Sequence, residues 1–219
     1  MTESLTHVDL SMLHLTSIPA GHPAFLTRRM DWADQADVHR AVMSLFPVSL
    51  PGPLDTRRAT STILYRLENP SSGPRVLVQS LTSPERDDHG IAKTTLAGLG
   101  ALLVAGRRLQ FRIDVNAVRS KARSGRRLAV QPEEIGRFLL DDSNPDRPGL
   151  LHGAVTGLDV LDVTFDVRRF GQSPLRVAGV TGIAIVADPV LLGRKLANGV
   201  GRAKSYGCGL LTVAPEHNR

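Results

Sequence analysis

The chain has 219 residues, room for one large domain or two small ones, and its 42% apolar content suffices for an ordinary packed core, which excludes disorder as its main state. Lys and Arg number 27 against 21 Asp and Glu, and the net charge of +6 favours an anionic partner such as nucleic acid. The single cysteine, Cys208, excludes an intrachain disulfide framework, no Cys/His spacing fits a zinc site, and no apolar run reaches the roughly 20 residues of a membrane span. The opening MTESLTHVDL lacks the basic and apolar regions of a secretory signal, so the expectation is a cytoplasmic protein in a reducing compartment.

Residues 1–11 read as a polar extension, and 12–18 alternate as a strand. A loop rich in Gly, Pro and Arg, with Arg28 and Arg29, leads to a helix predicted over 34–46, ended by Pro47 and carrying Val38, Ala41, Val42 and Leu45 as one apolar stripe. Strands over 61–68 and 75–81 flank Asn69-Pro70-Ser71-Ser72-Gly73-Pro74, whose composition is turn chemistry. A short helix over 91–103 and an alternating strand over 109–115 complete a βαββαβ order.

Between 116 and 127 the chain carries Arg119, Lys121, Arg123, Arg126 and Arg127 with no acid, which suits a linker or a phosphate-facing loop. Beyond it the pattern predicts a helix over 132–140, a hairpin of strands over 160–168 and 175–186, a helix from Asp188-Pro189 to about residue 198, and a last strand over 210–214. Arg168, Arg169 and Arg176 form a second basic cluster around this hairpin. The expected fold is α+β with two tandem ferredoxin-like, RRM-like βαββαβ domains. The first spans 12–116, after the extension 1–11; a basic linker spans 117–127, and the second domain 128–219.

Gly199, Gly201, Gly207 and Gly209, with Arg202 and Lys204, lie in a loop between that helix and the last strand. Glycines let backbone approach a ligand closely and the two cations suit phosphate, whereas on the other reading the glycines only permit tight packing. The loop is neither a Walker A motif, since Ala203 precedes Lys204, nor a dinucleotide fingerprint, since it leads into a strand. The run 199–215, GVGRAKSYGCGLLTVAP, closely resembles the C-terminal signature of the CasE (Cse-type) endoribonucleases, which process CRISPR RNA in the type I-E Cascade system. Leu64-Tyr-Arg-Leu-Glu68 with Val76-Leu-Val-Gln-Ser-Leu-Thr82 is similar to that family's first hairpin. Phe111-Arg-Ile-Asp-Val-Asn116 resembles its FRLRANP-type strand, with Asp114, Val115 and Ala117 as departures. This resemblance implies two ferredoxin-like domains, no metal or other cofactor, and as partners the CRISPR repeat stem-loop and other Cascade subunits.

His39 falls on the predicted helix at the edge of the apolar stripe, where an imidazole either fills space or faces a cleft. Ala36-Asp-Val-His39-Arg40 resembles the family's Tyr-x-x-His motif, with Ala36 at the tyrosine position. What the resemblance implies is cleavage by the RNA's own 2′-hydroxyl, giving a 2′,3′-cyclic phosphate, with His39 in acid-base catalysis; in place of the tyrosine, positioned cations can stabilise the phosphorane, and Arg40, Arg28 and Arg29 are the candidates. Tyr206, in the glycine-rich loop, is a further candidate to approach the site from the second domain. RNA contacts are expected from Arg28, Arg29, Arg119, Lys121, Arg123, Arg202 and Lys204, and from Arg168 and Arg169 on the hairpin that the family inserts into the stem-loop groove. An alternative is a subunit that caps the repeat hairpin and cleaves little or not at all.

Overall fold

The structure, a computed structural model, describes residues 10–26, 30–50, 61–71, 73–84, 92–95, 98–120, 127–141, 143 and 148–216. Its first sheet contains β1 (His14–Pro19), β2 (Leu64–Glu68), β3 (Arg75–Ser80) and β4 (Ala92–Thr95), ordered β2-β3-β1-β4 and antiparallel throughout. Helices α1 (Pro23–Leu26) and α2 (Gln35–Met43) connect β1 to β2. Asp34 caps α2 by accepting the Ala36 N–H at 2.9 Å, the role short acids take at a helix start. Past Met43 the expected helix tightens into i→i+3 bonds, Leu45 N–H to Val42 O and Phe46 N–H to Met43 O. The buried face of α2, Val38 and Val42, joins Leu45, Phe46, Ile18, Ile63, Tyr65, Val76 and Val78 in the first core.

The second sheet is ordered β10-β5-β9-β8, from β5 (Arg108–Asn116), β8 (Val155–Phe170), β9 (Ser173–Val186) and β10 (Thr212–Pro215). Counted within its own half, each sheet has the strand order 4-1-3-2, the ferredoxin-like arrangement anticipated from the sequence. Two assignments change. The alternating strand at 109–115 was expected to close the first unit, but β5 is an inner strand of the second sheet, between β9 and β10. Alternation marks a half-buried strand without naming its sheet. Pairing with β9 is favoured because Phe111 lies opposite Gly182, where a Cβ would come within 2.7 Å of the phenylalanine ring. The first unit is closed instead by β4, inside the stretch expected as a helix, of whose described residues α3 (Leu99–Leu102) is the helical part.

The division between sheets therefore lies between Thr95 and Arg108, upstream of the basic segment expected as a linker. That segment is flanked by a small hairpin, β6 (Val118–Ser120) with β7 (Arg127–Ala129), while its loop at 121–126 lies outside the described residues. Buried Ala117 anchors the hairpin through its N–H to Arg176 O at 3.0 Å. The expected helix over 132–140 is a 3₁₀ turn, Pro132–Glu134, running into α4 (Ile135–Leu139). Helix α5 (Pro189–Asn198) follows its sequence signals: Asp188 Oδ1 accepts the Val190 and Leu191 N–H groups, and Pro189 opens the first turn. Leu192 and Leu196 of α5 share one hydrophobic core with Leu109, Phe111, Ile113 and Val115 of β5.

Candidate active site at the seam of the two halves

All four glycines of the loop after α5 have positive φ, between +71° and +84°, and Ala203 joins them at +60°. Gly209 approaches the other arm of its own loop so closely that a Cβ would stand 2.6 Å from Val200 O, and one on Gly199 would meet the Leu64 side chain at 2.8 Å. Val200 N–H to Gly209 O and Gly209 N–H to Asp114 O close the loop on itself and onto β5. Between Ala203 and Gly207, both left-handed, sits a 3₁₀ turn, Lys204–Tyr206. Packing thus accounts for Gly199, Gly207 and Gly209, while Gly201 is exposed. Of the two loop cations, Arg202 is exposed, whereas Lys204 Nζ donates to Asn198 O at 2.8 Å, at the carbonyl end of α5.

Polar side chains of the first half hold the backbone of the second. The Tyr65 hydroxyl donates to Ser205 O at 3.0 Å, and Gln79 Nε2 to Leu196 O at 2.9 Å. Arg66, 2% exposed, is the central tie: Nη1 donates to Leu210 O (3.0 Å) and Arg112 O (3.2 Å), and Nη2 to Glu68 Oε1 (2.7 Å) and Thr212 Oγ1 (3.2 Å). Burial lowers its pKa from the ordinary guanidinium value against the opposing pull of Glu68.

At the far end of the second sheet, the tip of the β8–β9 hairpin docks on the residues leading into α2. Arg169 N–H donates to Ala33 O at 2.8 Å, and its guanidinium pairs with Asp31. Docking carries Phe170 against the ring of Tyr206, with centroids 4.1 Å apart, and Tyr206 stands edge-on to His39 at 6.4 Å and 72°. Three segments distant in sequence, α2, the hairpin tip and the glycine loop, thus converge on one half-buried imidazole.

The expected site residues separate clearly. His39 and Tyr206 come together; Arg40 is exposed on α2 and paired with Asp37 one turn back. Arg169 and Arg202 lie on the surface, and Arg119 stacks its guanidinium over Phe138 at 5.4 Å. Arg28, Arg29, Lys121 and Arg123 lie outside the described residues. Arg168 corrects the expectation of an exposed RNA contact: its side chain is 11% exposed and bonds Asp114 Oδ2 and Asp166 Oδ2, each at 3.0 Å. The reason is Asp114, buried on the face of β5 opposite Ile113 and Val115, at a position already marked as a departure; a buried carboxylate demands a cation. Burial pushes Asp114 above the usual carboxylate range, against Arg168 and Arg66. For Arg168 burial opposes the charge, yet Asp114 and Asp166 outweigh it and raise its pKa. Phe170 and Arg66 were missed, because neither an aromatic at a hairpin tip nor an arginine in a strand announces its long-range partner.

Beneath the loop, Cys208 packs with Leu175 and Val177, and burial pushes its thiol up to about 12. At pH 8.5 an ordinary thiol of pKa near 8.5 is about half ionised, so alkylation of the folded protein by iodoacetamide is expected to be about 10³-fold slower than in urea. Equal rates in the two conditions, followed by mass spectrometry, would contradict this burial.

No helix among the described residues is long and apolar enough to cross a membrane. Residues 5–215 match the family described as CRISPR associated protein. Over 210 residues the chain is 31% identical to the CRISPR-associated endoribonuclease Cse3 of Thermus thermophilus, covering 89% of this chain and 96% of the relative. The structure of Thermus thermophilus Cse3 bound to an RNA representing a pre-cleavage complex superposes with a TM-score of 0.62 at 27% identity, covering 93% of this chain and 99% of the other. A chain of a CRISPR RNA-guided surveillance complex, captured before nicking, matches with a TM-score of 0.60 at 25% identity, covering 93% and 100%. Family match, identity across nearly the whole chain and shared fold agree: the chain belongs to the CRISPR-associated protein family.

Proposed function

We propose that this protein is a CRISPR repeat endoribonuclease that cuts at the 3′ base of the repeat stem-loop and stays bound to its product as a subunit of a Cascade-type surveillance complex in the cytoplasm. The observation that carries this reading is the position of His39, half-buried where α2 meets the glycine loop and hairpin tip, in a chain so similar to an endoribonuclease. The RNA supplies the nucleophile. Its 2′-hydroxyl attacks the adjacent phosphorus, the bond to the 5′ oxygen breaks, and a 2′,3′-cyclic phosphate forms. The protein must take a proton from the 2′-hydroxyl and return one to the leaving oxygen, which an imidazole can do in either direction.

Because the nucleophile belongs to the substrate, no metal-activated water is needed. Surface cations such as Arg169, Arg176 and Arg202 supply phosphate attraction that sets affinity and its salt dependence without reading sequence. A low aromatic content of 4% favours recognition of a structured stem by shape and phosphate over base stacking.

The test is incubation with labelled repeat RNA in EDTA, beside the same RNA carrying a 2′-deoxy residue at the cut. Expected is one cut that the deoxy substitution abolishes. Tight binding with no cut would replace this reading by a hairpin-capping subunit, which Ala36, one helical turn before His39, would then explain.

A further inference from the structure

The cleavage needs two proton transfers, and α2 offers one imidazole with an alanine one turn earlier on the same face. Among the described residues, three nearby cations are engaged elsewhere: Arg40 turns to Asp37, Lys204 to the end of α5, and Arg168 to Asp114 and Asp166. The group that does reach the imidazole comes from the other half of the chain. We propose that Tyr206 is the second proton-carrying group of the site, donating its phenolic proton to the departing 5′ oxygen while His39 accepts the proton of the 2′-hydroxyl.

Its placement is built by the loop. Ala203 and Gly207 bracket the 3₁₀ turn with left-handed backbone, and Tyr206 N–H closes on Ala203 O at 2.9 Å. The turn is fastened to β2 by the Tyr65 hydroxyl on Ser205 O. A Cβ on Gly207 would press on Gln35 Oε1 at 3.0 Å and on the Tyr65 ring at 3.2 Å, so the turn lies flush against the start of α2. Phe170 then packs beside the Tyr206 ring, which stands T-shaped to the His39 ring. With both rings half-buried and their centres 6.4 Å apart, the two groups can address one phosphodiester from two sides. A phenol carries its proton at neutral pH and a neutral imidazole has a lone pair, the pairing that acid-base cleavage requires.

Protons balance in one step: the bond from the 2′ oxygen to phosphorus forms, the bond to the 5′ oxygen breaks, imidazole gains a proton and phenol loses one. Solvent exchange restores both groups afterwards.

This inference rests on the endoribonuclease reading, and the experiment separates the two. Wild type and Tyr206→Phe, which keeps the stacked ring, are compared in single-turnover cleavage of the repeat RNA and of the same RNA with sulfur replacing the departing 5′ oxygen. A thiolate leaves without a proton, so its expulsion needs no general acid. Expected is a loss of about 100-fold for Tyr206→Phe on the oxygen substrate, with wild-type rate on the sulfur substrate and wild-type RNA affinity. Equal rates of the two proteins on the oxygen substrate would overturn the inference, as would an equal loss on both substrates, which a displaced loop would produce. Failure of wild type to cut either RNA would instead sink the endoribonuclease reading itself.

Discussion

Replacing His39 by alanine is expected to lower the single-turnover cleavage rate about 10²- to 10⁴-fold, the usual worth of a positioned acid-base group, while RNA affinity stays within about two-fold. Affinity should survive because phosphate attraction by cationic side chains, the proposed source of binding, does not depend on an uncharged imidazole. The fold should survive as well: α2 is held by the Asp34 cap and by fully buried Val38 and Val42, and alanine favours a helix. Cleavage on a denaturing gel beside anisotropy binding reads both quantities. Undiminished cleavage would remove His39 from the chemistry, and parallel loss of binding would make it a recognition residue.

Arg66→Ala is expected to cost about 2–5 kcal/mol of folding stability, since each buried acceptor left without its donor costs about 1–3 kcal/mol. The side chain is almost fully enclosed, and its loss strips partners from Leu210 O, Arg112 O and Glu68 in one stroke. Arg112 lies in β5 and Leu210 just before β10, both in the second half, so the seam weakens along with β2. Urea unfolding followed by circular dichroism would show the midpoint falling with the slope retained. A change below about 1 kcal/mol would mean that the guanidinium's desolvation nearly cancels its bonds.

What the sequence made legible is local. Asp188-Pro189 announced α5, the Asn-Pro-Gly turn announced the β2–β3 hairpin, and the helical stripe placed His39 at the border of the core. What it hid depends on distance along the chain. Alternation over 109–115 identified β5 as a strand, yet only Gly182 opposite Phe111 shows which sheet it suits. Arg168 read as one more surface cation because its partner Asp114 lies 54 positions away. Four strand residues of β4 were too few for a period to emerge within an apolar, glycine-containing stretch. Tyr206 could be suspected but not placed, since its approach to His39 depends on how the two sheets join.

The seam also distributes mutational tolerance unevenly. Tyr65, Arg66 and Gln79 contribute side chains, whereas residues 196, 205 and 210 contribute only main-chain oxygens, which any amino acid at those positions would also possess. Variation on the second half can therefore proceed at these positions without erasing the polar ties, limited by packing alone, while each of the three donors is irreplaceable in kind. Sequence change at the join is therefore expected to fall more freely on the second half than on the two strands, β2 and β3, that supply the donors.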